Sequence, residues 1–272
     1  MTFNELFSQF QQKYDNTHDV IFFEIVFSIS KLVTNKERFV GNRSIGLDFK
    51  QRKFWKLCDQ YFRLERPLAH IVGHTTFCGL DFIVNKKVLA PRDITEQMTK
   101  DFINSHKTET GAQVLDLCCG CGCIGISIKK YLPQFSVTCV DRYYGPFMNT
   151  HDNARRHKVA LTLDCDDAID YLNKKTWIDY LVSNPPYINA NNFANAKKML
   201  KWESKKALIA PDNGLYFYKQ YFQWLSKHTF KEAWLEIGHD LIKPLQQEAT
   251  KYPNLIFNFV TDKQYLVIKR KL

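Results

Sequence analysis

No apolar run in the 272-residue chain is long enough to cross a membrane. The longest, Val20 to Ile29, is interrupted by Glu24 and is far shorter than the roughly 20 residues a span requires. The N-terminus, MTFNELFSQFQQKYDN, has no basic stretch followed by an apolar one, so no secretory signal is expected. Glycine (11) and proline (9) are sparse, and no tract is repetitive or of low complexity, which sets aside collagen-like and linker-like chains. Acidic residues are outnumbered, 28 against 38 Lys and Arg, for a net charge of +10. Such an excess speeds association with polyanions and with proteins that travel beside them. It does not choose among DNA, RNA and an RNA-bound protein, and a coding bias towards Lys and Asn produces the same balance. With 45% hydrophobic and 14% aromatic residues the chain can bury a sizeable core, so a soluble, cytoplasmic protein of about two domains is expected.

Also missing is a second C-x-x-C. Four of the eight cysteines, Cys118, Cys119, Cys121 and Cys123, crowd into six residues, and Cys118 and Cys121 form one C-x-x-C. No C-x-x-C or C-x-x-H pair follows at a spacing that would complete four ligands, so no metal site is expected. Disulfides between such close neighbours are geometrically poor, and the chain is too core-rich to need them. The thiols are best understood as small residues in a reducing compartment.

Three regions follow along the chain. Residues 1–70 are predicted helical: Phe3, Leu6, Phe7 and Phe10 recur at helical spacing, as do apolar positions from Val20 to Val33. Gly41-Asn42 and Gly46 then break the pattern. A third segment, Leu47 to Leu64, carries Phe54, Leu57, Cys58, Tyr61 and Phe62 on one side. Residues 71–92 have the β-rich composition of a hairpin linker, Thr75 to Val84, with a turn at Asn85-Lys86-Lys87. Residues 93–272 open with a helix that Asp93 or Thr95 can cap, then alternate short apolar runs with helical stretches. The predicted strands are Val114–Leu117, Val137–Asp141, Leu161–Leu163, Tyr180–Ser183, Ala233–Ile237, Ile256–Val260 and Tyr265–Ile268. Helices between the earlier strands imply right-handed crossovers and a parallel sheet. The last two are joined only by Thr261 to Gln264, too short for a crossover, so they form an antiparallel hairpin. The fold class is α/β, a Rossmann-like seven-stranded sheet.

Two loops carry chemistry. The first strand runs into Cys118-Cys119-Gly120-Cys121-Gly122, where Gly120 and Gly122 let backbone approach a ligand ahead of a helix N-terminus. The spacing departs from the dinucleotide G-x-G-x-x-G. About 20 residues on, the second strand ends in Asp141, where an acid accepts hydrogen bonds from ribose hydroxyls. The fourth strand ends Asn184-Pro185-Pro186-Tyr187. Consecutive prolines fix φ and withhold two amide protons, leaving carbonyl acceptors on a rigid turn. Asn184 adds a carboxamide oxygen and Tyr187 a flat face, a set that suits a planar –NH2 group.

With these motifs the chain resembles the S-adenosylmethionine-dependent amino methyltransferases. Asn-Pro-Pro-Tyr alone is shared by adenine-N6 and protein-glutamine enzymes. The flanks Pro67 to Gly73, Phe77 to Val84, Val88 to Glu96, Trp202-Glu203, Ala207-Leu208 and Leu235 to Gly238 are similar to the release-factor glutamine N5-methyltransferase family. The resemblance covers residues 65 to 272. It implies transfer of a methyl group to the glutamine of the Gly-Gly-Gln loop of class I peptide chain release factors, with no nucleic acid required, and an N-terminal bundle that helps hold the factor. It implies a cofactor lying over Cys118, Cys119, Gly120, Cys121, Gly122, Asp141 and Asn184, with Asp167 and Ala168 near the adenine. Asn184, Pro185, Pro186 and Tyr187 are the implied catalytic and substrate-binding residues. Two departures stand out: Cys118 replaces the first of three alternating glycines, and Ala168 stands where relatives carry a bulkier group. A DNA or RNA adenine-N6 methyltransferase and a non-catalytic nucleic-acid-binding protein on the same fold are the alternatives.

Overall fold

The computed structural model describes residues 3–14, 48–86, 88–193 and 198–271. The chain forms two compact units, Met1–Gly73 and His74–Leu272. In the first unit, helices α1 (Phe3–Tyr14), α2 (Asp48–Phe62) and α3 (Leu68–Val72) surround a small aromatic core. Leu6 and Phe10 lie one turn apart on α1, Phe54 and Cys58 one turn apart on α2, and all four are completely buried. Phe10 meets Phe54 edge-on with ring centroids 6.4 Å apart, and the Tyr14 hydroxyl donates to Asp59 Oδ1 at 2.8 Å. The helix expected over Val20–Val33, and the break after it, lie outside the described residues.

The second unit opens with a hairpin, β1 (His74–Phe77) and β2 (Leu80–Ile83). Its two-residue turn, Cys78-Gly79, has positive φ at both positions (49° and 73°), the geometry that matches strand twist. Helix α4 (Asp93–Ser105) follows. The capping expectation fails here: neither Asp93 nor Thr95 caps it, because the helix already begins at Asp93 and the buried Thr95 hydroxyl donates to Glu236 instead.

The seven-stranded sheet comprises β3 (Gln113–Leu117), β4 (Ser136–Val140), β5 (Thr162–Asp164), β6 (Tyr180–Ser183), β7 (Glu232–Glu236), β8 (Leu255–Val260) and β9 (Tyr265–Arg270). Its order is β5-β4-β3-β6-β7-β9-β8, with the first five parallel and β9 antiparallel to both β7 and β8. This is the predicted sheet with ends moved by about one residue, as strand fraying allows. Asp141 sits just past β4, although its N–H still reaches the Asp164 carbonyl at 3.2 Å. Glu232 belongs to β7 because it pairs with Lys269 across the sheet. Helices α5 (Cys123–Tyr131), α6 (Tyr144–His157), α7 (Ala168–Asn173), α8 (Ala190–Phe193), α9 (Lys205–Leu208), α10 (Tyr216–Lys227) and α11 (Ile242–Ala249) complete the unit.

The core gathers Leu115, Leu117, Leu181, Leu235, Leu266 and Ile268 from the sheet against Tyr218, Tyr221, Phe222 and Leu225 of α10. Burying side chains of this kind stabilises by about 1.5–3 kcal/mol each before conformational entropy is set against it. The chain leaves β3 towards β4 on one side and returns to β6 on the other. Such a reversal opens a crevice at the carboxyl ends of those strands. Among the described residues no helix is long and apolar enough to cross a membrane.

Candidate functional site

The loop after β3 has left-handed backbone at alternate positions: Cys118 (φ 61°), Gly120 (φ 60°) and Gly122 (φ 78°). Each serves a different purpose. At Gly120 a Cβ would meet nothing within 4 Å, so the backbone faces open space on the cavity side. At Gly122 a Cβ would fall 2.6 Å from Thr150 Cγ2 and 2.9 Å from Ile126 Cδ1, so glycine is needed there for packing against α6. The loop is tied down by Cys119 N–H to the Val140 carbonyl (3.1 Å), Thr150 Oγ1 to the Gly120 carbonyl (3.0 Å) and Asn153 Nδ2 to the Cys121 carbonyl (2.9 Å).

Cys118 departs from its backbone's preference. A side chain in the left-handed region costs about 1–2 kcal/mol that glycine does not incur. Cys118→Gly should therefore be more stable than Cys118→Ala by about 1 kcal/mol, reversing the usual advantage of alanine. Denaturant unfolding of the two variants measures it. Equal stabilities would mean that this loop is not left-handed in solution. Burial pushes the Cys118 thiol well up, so it stands as a neutral, poorly nucleophilic group. All eight cysteines are free thiols.

A cavity of about 650 Å³ lies over this loop, within the usual range for a small-molecule pocket. Cys118, Cys119, Gly120, Cys121, Asp141, Asp167, Ala168, Asn184 and Pro186 line it; Gly122, Pro185 and Tyr187 do not. Asp141 receives Gly120 N–H on Oδ2 at 3.1 Å and Tyr143 N–H on Oδ1 at 3.0 Å, which bridges the two loops and leaves each oxygen a further lone pair. Burial raises its pKa against those two bonds. Asp167 caps α7 through Ile169 N–H (2.9 Å) and pairs with Arg142 at 3.3 Å. Of the lysines in the 197–206 segment, Lys205 and Lys206 reach the cavity wall, and Lys206 lies 4.6 Å from the Tyr143 ring centroid.

The Asn184–Tyr187 turn is pinned by Tyr187 N–H and Ile188 N–H to the Leu208 carbonyl (3.2 and 2.8 Å). Asn184 Nδ2 donates to Thr95 Oγ1 at 3.1 Å, which leaves its Oδ1 as an acceptor. Tyr187 stands behind the wall. Its ring packs on Gly238, where a Cβ would fall 3.0 Å from Cε2, and its hydroxyl faces Glu236 Oε1 at 3.4 Å. Tyr187, expected to offer a stacking face, is thus placed against Gly238 and Glu236 and not on the cavity wall. Motif spacing gives no site role to Glu236, to Thr95, or to the pair of half-buried Arg92 with buried Glu203, whose Oε1 also accepts from Ala90 N–H at 2.9 Å. A lone carboxylate in the apolar run Ala233 to Ile237 is the signal that marks Glu236.

The family model of the methyltransferase small domain matches residues 84–214. A curated release factor glutamine methyltransferase of Clostridium botulinum is 32% identical over 171 residues, 59% of this chain and 60% of that protein. One of Geobacter sulfurreducens is 33% identical over 172 residues, 63% of this chain and 60% of its own. The matched stretch thus spans less than two thirds of these two relatives. Among solved structures, the Thermus thermophilus 16S rRNA N2 G1207 methyltransferase, in complex with AdoMet and guanosine, superposes with a TM-score of 0.51 at 12% identity, over 73% of this chain and 50% of that one. With the sheet order, the two loops and these relatives together, the chain belongs to the release-factor glutamine methyltransferase family, on a class I methyltransferase fold.

Proposed function

We propose that this chain transfers a methyl group from S-adenosylmethionine to the side-chain amide nitrogen (N5) of the glutamine in the Gly-Gly-Gln motif of class I peptide chain release factors, in the cytoplasm. The observation that carries the reading is the orientation of Asn184. Its –NH2 is committed to Thr95, so the atom left for a substrate is an acceptor, which matches an incoming –NH2 group. The relatives' names supply the substrate class.

The residues fit the cofactor. Gly120 leaves room for close approach, Asp141 keeps lone pairs for two ribose hydroxyls, and Asp141 and Asp167 place negative charge beside a cationic ligand. The cofactor, when bound, supplies a methyl group already activated as a sulfonium.

An amide nitrogen is a weak nucleophile because its lone pair is delocalised into the carbonyl. Asn184 Oδ1 holds one of the two amide protons, which concentrates lone-pair density along the direction of attack, whereas the Pro185 carbonyl expected to hold the other is not on the cavity wall. Pro185 and Pro186 keep the turn that carries this acceptor rigid, and Tyr187 braces the turn from behind. Well-aligned reactants gain up to about 7–11 kcal/mol from proximity.

The test offers the protein, with methyl-labelled cofactor, a release factor, the same factor with the Gly-Gly-Gln glutamine changed to alanine, and duplex DNA. Label is expected on the first alone. Label on DNA would promote the adenine-N6 reading, and label on the glutamine-less factor would move the acceptor elsewhere.

A further inference from the structure

Glu236 ends β7 as a buried carboxylate outside the Asn-Pro-Pro-Tyr turn, yet it is bonded to that turn by two routes. Its Oε1 faces the Tyr187 hydroxyl, and its Oε2 accepts from the hydroxyl of Thr95, itself buried on α4. Thr95 Oγ1 in turn accepts from Asn184 Nδ2 at 3.1 Å. The relay holds residues 89 and 141 positions apart in sequence.

The direction of these bonds matters. A hydroxyl has a single proton to donate. An ionised Glu236 can only accept, so Thr95 gives its proton to Glu236 and can only accept from Asn184. The Asn184 –NH2 therefore points inward and Oδ1 is the free atom. A protonated Glu236 can donate to Thr95 Oγ1, which releases the Thr95 proton to Asn184 Oδ1 and turns the amide round. The cavity would then be offered an –NH2 that cannot hold a substrate N–H.

We propose that Glu236 and Thr95 are positioning residues, a relay whose hydrogen-bond polarity decides which atom of Asn184 faces the substrate. Its link to catalysis rests on the methyl-transfer reading above, whereas the amide orientation itself exists in the free enzyme. The groups around Glu236 are few. Arg92 precedes α4, Thr95 lies on it, and Asn184 and Tyr187 come from the turn after β6. Tyr218 on α10 donates to the Glu236 backbone carbonyl at 2.7 Å, and Asp240 follows β7 close to Gly238. Burial pushes the Glu236 carboxyl up to about 7, while Thr95, Tyr187, Arg92 and Asn184 favour its ionised form. The sign follows: the oxygen-outward state is held above about pH 7 and lost as pH falls through it.

Thr95→Val keeps shape and removes the relay. It should lower kcat on the release factor about 10- to 100-fold, with KM and cofactor affinity little changed, as misorientation of a reacting-group contact does. Thr95→Ser, which keeps the hydroxyl, should restore kcat. The wild-type enzyme should lose kcat as pH falls through about 7, and Glu236→Gln, which cannot ionise, should flatten that limb. In the free enzyme, the side-chain amide NMR signal of Asn184, assigned by its loss in Asn184→Asp, should shift with the same midpoint and stay still in Glu236→Gln. This last measurement needs no substrate. Wild-type protein that labels no release factor would sink the glutamine reading while the amide titration still decides the relay. An Asn184 signal unmoved across that range, or full kcat in folded Thr95→Val, overturns the relay.

Discussion

Asn184→Ala should reduce methyl transfer to the release factor by about 10²–10³-fold in kcat, the scale on which one preorganised polar group at a reacting centre acts. Docking of the factor should change little, because Asn184 contributes only one half-buried side chain to any such surface. Groups that act mainly on the transition state lower kcat when removed and do not chiefly raise KM. Asn184→Asp is the sharper probe. It retains an acceptor but has no –NH2 to give Thr95, and it sets a second carboxylate beside buried Glu236. Two carboxylates this close together cannot both ionise freely, so activity should be intermediate and its acid limb should move to higher pH. Single-turnover transfer of a labelled methyl group, followed across pH, separates the variants. Wild-type kcat in Asn184→Ala would remove this residue from the chemistry.

The sheet was legible because β3, β6 and β7 are short, mostly apolar stretches whose residues are buried on both faces. The C-terminal hairpin was legible because Thr261 to Gln264 cannot span a crossover. Asp141 and the Asn184 turn could be found by position alone, at strand ends where a doubly wound sheet binds ligands. Thr95 could not. Its neighbours in sequence offer a helix start, and a capping rule sees only those neighbours, whereas its hydroxyl is claimed by Glu236 from 141 residues away. Gly122 was misleading in the same way. A glycine in a loop suggests ligand approach, but this one makes room for Thr150 on α6, a contact no local pattern contains. Tyr187 has a flat face, as expected, but Gly238 lies beside its ring and Glu236 holds its hydroxyl. In each case the residue type was informative and its partner was not, because the partner arrives only through the sheet order.

Asp141→Ala should weaken S-adenosylmethionine binding by about 1.5–3 kcal/mol, or roughly ten- to a hundredfold, the usual effect of losing a charged hydrogen-bond acceptor in a ligand site. The geometry gives this loss two parts. The free lone pairs of the carboxylate face the cavity, where they can accept from ribose hydroxyls. Its occupied lone pairs hold Gly120 N–H and Tyr143 N–H, so alanine also unties the loop after β3 from the loop after β4. Asp141→Asn separates the parts. Its one carbonyl oxygen can keep a single loop amide, but its –NH2 repels the other and cannot accept from a hydroxyl. Alanine should therefore lose the most affinity and asparagine less, with unfolding midpoints close to wild type, since Asp141 lies past the end of β4 and outside the packed core. Calorimetric titration of the three proteins with S-adenosylmethionine gives the affinities directly. Unchanged affinity in Asp141→Ala would take this residue out of the cofactor site and leave it as a tie between loops.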